Sequence, residues 1–156
     1  MNDFLKNRNN TKGLIFILLF RISNFLSKSK FFRVLGFPIR VFYRLIVQWV
    51  LGIDIPDTTY IGNGFVVYHG MGLVVNDKVK IGRNVTLRHN TTIGNAKTGG
   101  VCPIIEDNVN VGANCVIIGG ITLGRNAIIG AGSVVISDIP SNSIAVGNPA
   151  RVIRTI

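Results

Sequence analysis

The sequence predicts a mainly β protein, a parallel β-helix, preceded by a short α-helical segment. With 156 residues the chain has room for one domain, or for one domain with an appendage. From residue 105 onward an aliphatic residue recurs at every sixth position, and a small or apolar residue follows each one after four places. A fixed short period is typical of stacked, nearly identical units that cannot bury an apolar side alone. Three such six-residue units would form one coil.

The repeat predicts which side chains point into the β-helix. In the second half of the chain the inward aliphatic positions are Ile105, Val111, Ile117, Leu123, Ile129 and Val135, and the positions four places later are Val109, Cys115, Ile121, Ala127, Ser133 and Ile139. In the first half the inward positions are Ile61, Val67, Leu73, Val75, Ile81, Leu87 and Ile93. A two-residue slip at Leu73 and Val75 lengthens the first coil. The coils are predicted over about residues 52–146.

Residues 1–51 are predicted to be a basic, amphipathic helical segment. We expect helices at about 13–29 and 38–51, and fraying over residues 1–10. Residues 1–50 carry nine Lys and Arg against Asp3, a net charge of +8, whereas the rest of the chain carries +2. The apolar faces are built from Phe16, Phe20, Phe25, Phe31, Phe32, Phe42 and Trp49. These faces either pack against the β-helix or a neighbouring subunit, or lie on an anionic membrane surface.

Several classes of protein fit the composition poorly. The apolar run 13–20 ends at Arg21, far short of the ~20 residues that a membrane-spanning helix needs. No clean signal-peptide cleavage site follows this run, and two cysteines make no disulfide framework, so a cytoplasmic protein is expected, with peripheral membrane contact left open. Two cysteines and two histidines also fit no common zinc spacing. The positive charge comes without a nucleic-acid recognition motif.

Two segments leave the six-residue period. Residues 94–103 are rich in glycine and end in proline, and we expect them to form a loop extruded from the coil. Residues 143–156 depart through Gly147-Asn148-Pro149 and are expected to end in a basic strand or tail with Arg151 and Arg154. Loops on a rigid scaffold commonly handle substrates, so the extruded loop is a candidate part of a site.

Stacking the coils predicts one column of residues that could take part in catalysis. His69, His89, Ala113 and Ala131 each follow the second inward residue of a coil by two places, so they should be about 4.8 Å apart in a line. A neutral imidazole is a natural general base near neutral pH. Asp54, fifteen residues before His69, is the acid that could fix its tautomer. The two alanines leave a track for a thin, extended ligand. The alternative is that the histidines only pack.

These residues resemble the left-handed β-helix (hexapeptide-repeat) acetyltransferases over about residues 14–156. The resemblance rests on four motifs: Gly52-Ile53-Asp54-Ile55, the run Tyr-His-Gly-Met-Gly-Leu-Val-Val at 68–75, Gly-Ala-Gly-Ser-Val-Val at 130–135, and Val-Gly-Asn-Pro-Ala-Arg at 146–151. It is strongest to the serine acetyltransferases and to their relatives in colanic-acid and capsule biosynthesis. It implies a left-handed coil over 52–156, acetyl-CoA as co-substrate, no metal, and a homotrimer with active sites between subunits. Paired trimers are the alternative.

The resemblance also implies roles for individual residues. His69 would deprotonate an acceptor hydroxyl, which then attacks the thioester of acetyl-CoA, and Asp54 would hold and stabilise the imidazole. The backbone at Ala113 and Ala131 would line the pantetheine arm. Further contacts to coenzyme A would come from Asn95, Arg151 and Arg154, where the two arginines would meet phosphates.

The chain departs from the serine acetyltransferases at the positions that hold the amino acid. Those enzymes have an Asp before the catalytic His and an Arg-His pair before the loop proline, and Tyr68, Val101 and Cys102 stand there instead. A site without these charges would bind serine poorly. Arg88-His89-Asn90 is instead the pattern of the polysaccharide-biosynthesis relatives.

The sequence therefore predicts an O-acetyltransferase that acts on a sugar hydroxyl of a lipid-linked or nucleotide-linked glycan in surface polysaccharide biosynthesis. The residues expected to contact the acceptor are His89, Tyr68, Arg88 and Cys102. Three alternatives stay open at this point. The chain could be a serine O-acetyltransferase, a non-enzymatic β-helix scaffold, or an enzyme that uses Cys102 as an acyl-accepting nucleophile.

Overall fold

The computed structural model describes residues 3–156 as a parallel β-helix with a helical segment packed on its first coil. The helical segment consists of α1 (Asp3–Asn7), α2 (Thr11–Ser27), α3 (Lys30–Leu35), α4 (Phe37–Tyr43) and a π-helical turn, Arg44–Val50. It feeds directly into the first strand at Ile53. This arrangement confirms the predicted fold class, a mainly β chain preceded by helices.

Within residues 3–156 the helices are followed by fifteen short strands. They are β1 (Ile53–Asp54), β2 (Tyr60–Ile61), β3 (Val66–Tyr68), β4 (Leu73–Val75), β5 (Lys80–Ile81), β6 (Thr86–Arg88), β7 (Thr92–Gly94), β8 (Ile104–Ile105), β9 (Asn110–Val111), β10 (Val116–Ile118), β11 (Thr122–Leu123), β12 (Ile128–Ile129), β13 (Val134–Val135), β14 (Ser143–Gly147) and β15 (Ala150–Thr155). The three sheets have the orders β1-β4-β7-β10-β13, β2-β5-β8-β11 and β3-β6-β9-β12-β14-β15. Every pair is parallel except β14 and β15.

The predicted inward residues form the core. All thirteen are buried, as are the six residues four places after them in the second half of the chain. The slip in the first coil is accommodated within β4, where Leu73 pairs with Ile53 below it and Val75 pairs with Ile93 above it. Both side chains point inward, so the extra two residues do not flip any later strand to the wrong face.

Asparagines shape one corner of the coils. Asn84, Asn108, Asn126 and Asn142 all have φ between 56° and 62°, a left-handed conformation that asparagine tolerates better than most residues. Their side-chain amides donate from one coil to the next, over 3.0, 3.0 and 2.6 Å. The ladder satisfies polar groups along the turn and repeats as the coils do.

The helical segment covers the first coil with aromatic side chains. Phe16 and Phe20 of α2 are fully buried, and the ring of Phe16 lies 6.2 Å from that of Phe65. The Tyr43 hydroxyl donates to the carbonyl of Ile55. Packing against the β-helix therefore accounts for Phe16 and Phe20. It does not account for Phe25, Phe31, Phe32, Phe42 and Trp49, which stay exposed.

The start of the chain differs from the expectation of fraying over residues 1–10, which is wrong for the described part. Residues 3–7 form α1, and both Asp3 and Asn7 are buried. The carboxylate of Asp3 accepts from the backbone N–H of Phe65, and Asn7 Nδ2 donates to the carbonyl of the same residue. The physical reason is that the first coil has no coil below it, so its backbone groups need side-chain partners.

The helix boundaries also differ from those predicted. α2 begins at Thr11 and ends at Ser27, α3 was not expected, and the helix predicted at 38–51 is divided into α4 and the π-helical turn. α3 has no buried residue at all. Within residues 3–156 no helix is both long and apolar enough to cross a bilayer.

Candidate functional site

The predicted column exists in the structure. β3, β6, β9 and β12 lie side by side in one sheet, with Val67 opposite Leu87 and Val111 opposite Ile129. Each strand is followed by the same corner, where His69, His89, Ala113 and Ala131 stand in successive coils. Backbone bonds link neighbouring corners, since the N–H of Asn114 donates to the carbonyl of His89 and that of Gly132 donates to the carbonyl of Ala113.

The two imidazoles are in contact. The ring centroids of His69 and His89 are 5.8 Å apart, with an angle of 78° between the ring planes. They line a cleft of about 310 Å³ together with Lys12, Met71 and Asn90. His69 has a φ of 67°, a conformation that costs energy for a residue with a side chain and that is concentrated at functional sites.

His89 carries an unsatisfied nitrogen. Its Nδ1 is buried and has no hydrogen-bond partner among residues 3–156. An unpaired buried polar atom costs about 1–3 kcal/mol. A ligand or a neighbouring chain that supplies a partner to this nitrogen would recover that energy, so the atom marks the corner as a binding surface.

Asp54 lies in β1, immediately after the π-helical turn. Its Oδ1 accepts a hydrogen bond of 2.8 Å from Nε2 of Gln48. It lines a groove of about 370 Å³ that it shares with Asn76 and with Asn95 of the extruded loop. No hydrogen bond joins Asp54 to His69 in the single chain over residues 3–156, and the two residues line different clefts. The catalytic pair therefore stays a prediction.

Tyr68 and Arg88 form a second layer beside the column. The guanidinium carbon of Arg88 lies 5.8 Å from the ring centroid of Tyr68. Nη1 of Arg88 also donates to Oδ1 of Asn110 at 2.6 Å and to the carbonyl of Val111 at 2.9 Å. These bonds fix Arg88 on the next coil, while the Tyr68 ring remains exposed to a ligand.

Cys102 is poorly suited to nucleophilic chemistry. It is only 6% exposed, and its Sγ lies 3.3 Å from Oδ1 of Asn76. Burial raises the pKa of the Cys102 thiol, and the nearby positive charge of Lys78 opposes this shift only in part. The nucleophile is the thiolate, so a raised pKa lowers its amount near neutral pH. Cys115 is fully buried in the core, as its inward position predicts.

The residues predicted to hold coenzyme A lie in three places, at the column, on β15 and in the extruded loop. Ala113 and Ala131 continue the column, and Arg151 and Arg154 lie on β15, which extends the same sheet beyond β14. Both arginines are exposed. Asn95 begins the extruded loop between β7 and β8, where its side chain accepts from Asn76 Nδ2 and donates to the carbonyl of Lys97.

Sequence reasoning missed Asn76, which lines the groove beside Asp54, and four further residues that line the imidazole cleft or bind Asp54. Met71 and Asn90 each follow a column histidine by one or two places, so their chain position was a usable signal. Lys12 and Gln48 come from the helical segment, and only its packing on the first coil brings them to His69 and Asp54. No pattern in the sequence reports that packing.

Comparisons with known proteins agree with this geometry. A family model described as the hexapeptide repeat of succinyl-transferase matches residues 104–137. The chain is 36% identical over 157 residues to the "Putative colanic acid biosynthesis acetyltransferase WcaB" of Escherichia coli (strain K12), covering 97% of each chain. It is 39% identical over 143 residues to a serine acetyltransferase of Bacillus licheniformis, covering 90% of this chain and 64% of that one.

Solved structures give the same result. Soybean serine acetyltransferase complexed with serine is 36% identical, with a TM-score of 0.80 over 92% of this chain and 58% of that one. Serine acetyltransferase of Brucella abortus strain S19 in complex with coenzyme A is 27% identical, with a TM-score of 0.81 over 98% of this chain and 65% of that one. The relationship to WcaB is nearly end to end, and it confirms the resemblance read from the motifs. The chain belongs to the hexapeptide-repeat acetyltransferases.

Proposed function

We propose that this protein is an acetyl-CoA-dependent O-acetyltransferase that acts on a sugar hydroxyl in surface polysaccharide biosynthesis. The observation that carries the choice of acceptor is the lining of the imidazole cleft, which contains Lys12, His69, Met71, His89 and Asn90 and, among residues 3–156, no carboxylate. The ammonium group of serine would find no counter-ion among these side chains. A neutral sugar needs no such counter-ion.

The proposed chemistry is a direct transfer. A ring nitrogen of His69 takes the proton from the acceptor hydroxyl while its oxygen attacks the thioester carbonyl carbon. The C–S bond then breaks, and the imidazolium returns the proton to the leaving thiolate, which gives the acetyl ester and free coenzyme A. Backbone N–H groups would stabilise the oxyanion of the tetrahedral intermediate. His89 Nδ1, which lacks a partner, would contact the acceptor.

Asp54 is proposed to orient and stabilise the imidazolium of His69. Gln48 occupies Oδ1 of this carboxylate, and a carboxylate has a second oxygen that can accept from a ring N–H. The backbones of the two segments are already neighbours, since the N–H of Gly72 donates to the carbonyl of Gly52 at 2.8 Å.

Coenzyme A is proposed to lie along the column, because Ala113 and Ala131 leave it open above the two histidines. The Brucella abortus relative was solved in complex with coenzyme A, which supports coenzyme A as the co-substrate. Arg151 and Arg154 on β15 would meet its phosphates, and Asn95 would contact it from the extruded loop. No metal takes part in the proposed reaction.

The assembly proposed is a homotrimer with active sites between subunits, and paired trimers are the alternative. The side chain of Val101 on the extruded loop is 74% exposed, and a neighbouring subunit would cover it. Light scattering on the purified full chain gives the mass. A monomer at micromolar concentration would contradict the proposal.

We further propose that the enzyme works in the cytoplasm, peripherally on the inner face of the membrane. Residues 3–50 carry nine basic side chains and one acidic one, Asp3, which is already paired with Arg21. Anionic lipids attract such a surface by about 1 kcal/mol for each Lys or Arg close to it. This location would keep the enzyme near glycans that are built on lipid carriers.

The experiment that tests the acceptor is thiol release from acetyl-CoA with L-serine, nucleotide sugars and lipid-linked glycans in parallel. Turnover with a sugar acceptor, and none with serine, is the expected result. Turnover with serine that disappears in His69→Ala would overturn the glycan proposal in favour of serine O-acetyltransferase, which the B. licheniformis relative supports. A scaffold without enzymatic activity would release no thiol with any acceptor.

A further inference from the structure

A second cleft, of about 470 Å³, opens between the C-terminal end of α2, α3 and the first coil. It is larger than the imidazole cleft and shares no lining residue with it. Among the described residues, four cationic side chains line it, Arg21, Lys28, Arg33 and Arg83, and no acidic side chain does. We refer to it as the basic cleft. The acetyl-transfer chemistry makes no use of it.

About half of the positive charge in the basic cleft is uncompensated. Arg21 pairs with Asp3 at 2.8 Å and Arg83 pairs with Asp107 at 3.1 Å, both from outside the lining. Within residues 3–156 neither Lys28 nor Arg33 has a carboxylate partner. Nε of Arg33 donates to the carbonyl of Ser27, which anchors the guanidinium and leaves its terminal nitrogens free. Two cations therefore face one opening.

The wall of the basic cleft also contains an unsatisfied hydroxyl. Thr59 is fully buried, and its Oγ1 has no hydrogen-bond partner in the described chain. This hydroxyl lies beneath the surface of the cleft, so the argument for a ligand rests on the two cations. A phosphate group offers several strong acceptor oxygens, and one phosphate could bind both cations at once.

An aromatic cluster, which we call the aromatic rim, lies on the same two helices that bring Lys28 and Arg33 to the cleft. Phe25, Phe31 and Phe32 lie on α2 and α3, with ring centroids 5.5 and 5.6 Å apart along the cluster. Phe31 is 72% exposed, and α3 buries no residue against the rest of the chain. Apolar rings beside a phosphate-binding cleft suit an amphiphile whose charged and apolar ends are close together.

We infer that the basic cleft binds the phosphate of an anionic lipid head group, with Phe25, Phe31 and Phe32 inserted at the level of the acyl chains. A second copy of the chain is a poor occupant, because it would bring another segment with a charge of +8 against the first. Free phosphate would leave the aromatic rim in water. The inference rests on the proposed membrane contact and makes it specific to one site, and it is independent of the acceptor.

The test is vesicle co-sedimentation of the full-length protein at physiological salt. Neutral phosphatidylcholine vesicles are compared with vesicles of phosphatidylcholine and phosphatidylglycerol in equal parts. The variant is Lys28→Gln with Arg33→Gln. Two matched controls also lose one lysine and one arginine, Lys6→Gln with Arg8→Gln in the helical segment and Lys78→Gln with Arg125→Gln on the β-helix. The single variant Lys28→Gln breaks no hydrogen bond of the described chain. It shows whether a loss of binding in the double variant comes from the lost charge or from a change in the position of α3.

The expected result is binding to the anionic vesicles that falls about tenfold more in the cleft variant than in the Lys6/Arg8 control, since site contacts add to the general attraction. Equal losses in both would leave the membrane contact standing and overturn the cleft assignment. No binding by the wild type would overturn both the membrane contact and the cleft assignment, and it would leave the proposed acetyl transfer unaffected. A different ligand would be indicated if no vesicle binding is seen and inorganic diphosphate raises the melting temperature of the wild type but not of the cleft variant. The cleft would then bind a free phosphate compound and not a lipid.

Discussion

The β-helix and the helical segment bury their apolar residues in different ways. Every inward aliphatic of the coils has a counterpart one coil above or below, and all are buried. In the helical segment, Phe16 and Phe20 reach the core, whereas Phe31 and Trp49 are 72% and 83% exposed. In a repeat, the sequence itself encodes the neighbouring coil on which each coil packs. A helical segment packs on a surface that its own sequence does not encode, and here one face of it remains exposed among residues 3–156.

The sharpest difference between the regions is expected in catalysis. His69→Ala should lower kcat/KM about 1000-fold or more, because it removes the proposed general base, while leaving the unfolding midpoint close to that of the wild type. Steady-state kinetics and a denaturant titration of the same preparation measure both. His89→Ala is the matched control, and it should mainly raise the KM for the acceptor. A loss that is larger in His89→Ala would exchange the roles of the two histidines.

Two leucines test the comparison in terms of stability. Leu87→Ala, in the core of the coils, should lower the free energy of unfolding by about 2–5 kcal/mol, because the lost contacts leave a cavity. The same change at Leu35, which is 68% exposed on α3, should cost less than about 0.5 kcal/mol. Urea denaturation followed by circular dichroism gives both values. A cost above about 2 kcal/mol at Leu35 would show that another subunit covers α3.

The contact between the two regions should weaken in acid. Asp57 is 4% exposed and accepts from Arg40 Nε at 2.6 Å and from Ser23 Oγ at 2.6 Å. Burial alone would raise the pKa of Asp57, but the bonds and the charge of Arg40 outweigh it and hold the pKa below its usual value. A carboxyl whose pKa is lowered on folding contributes stability above its unfolded pKa and loses it as the pH falls through the folded value.

Asp57→Asn should therefore lower the stability at pH 7 by on the order of 3 kcal/mol and flatten its decline below about pH 4. Chemical denaturation between pH 3 and pH 7 measures the effect. Asp107→Asn is the control, because Asp107 pairs with Arg83 on an exposed part of the coils. An acid-induced decline of the same slope in Asp57→Asn would place the sensitivity at another carboxylate.

The smallest expected effect connects the regions again, through the proposed catalytic acid. Gln48→Met keeps the side-chain length but removes the hydrogen bond to Asp54, and it should lower kcat about tenfold with little change in KM. Activity equal to the wild type, with His69→Ala still inactive, would show that the helical segment takes no part in positioning Asp54.

The sequence predicted most of the coiled region. The six-residue period alone predicts the inward residues, the slip at Leu73 and Val75, and the column from His69 to Ala131. It does so because residues one full coil apart in sequence lie opposite each other in parallel strands. The extruded loop was visible as a gap in the same count. Cys102 was only a weak candidate nucleophile, and its burial argues against that role.

The period could not predict how the helical segment meets the coils. Fraying was expected over residues 1–10 because they are polar. In the structure the polar side chains of Asp3 and Asn7 instead form hydrogen bonds with backbone groups of the first coil that no neighbouring coil pairs. The break between α4 and the π-helical turn delivers Gln48 to Asp54, and no local propensity announces it. Each of these contacts joins residues with no fixed spacing between them.

The amino-acid sequence by itself thus determined the coils, their register and the line of residues along one corner. Each unit repeats its neighbour, so equivalent positions of successive units lie one above the other. Only the tertiary structure decided which residues close the first coil, which partners reach Asp54 and His69, and which aromatic rings remain on the surface. Those outcomes depend on long-range packing between a helical segment and a scaffold, where many arrangements satisfy the same local pattern and the lowest free energy selects one.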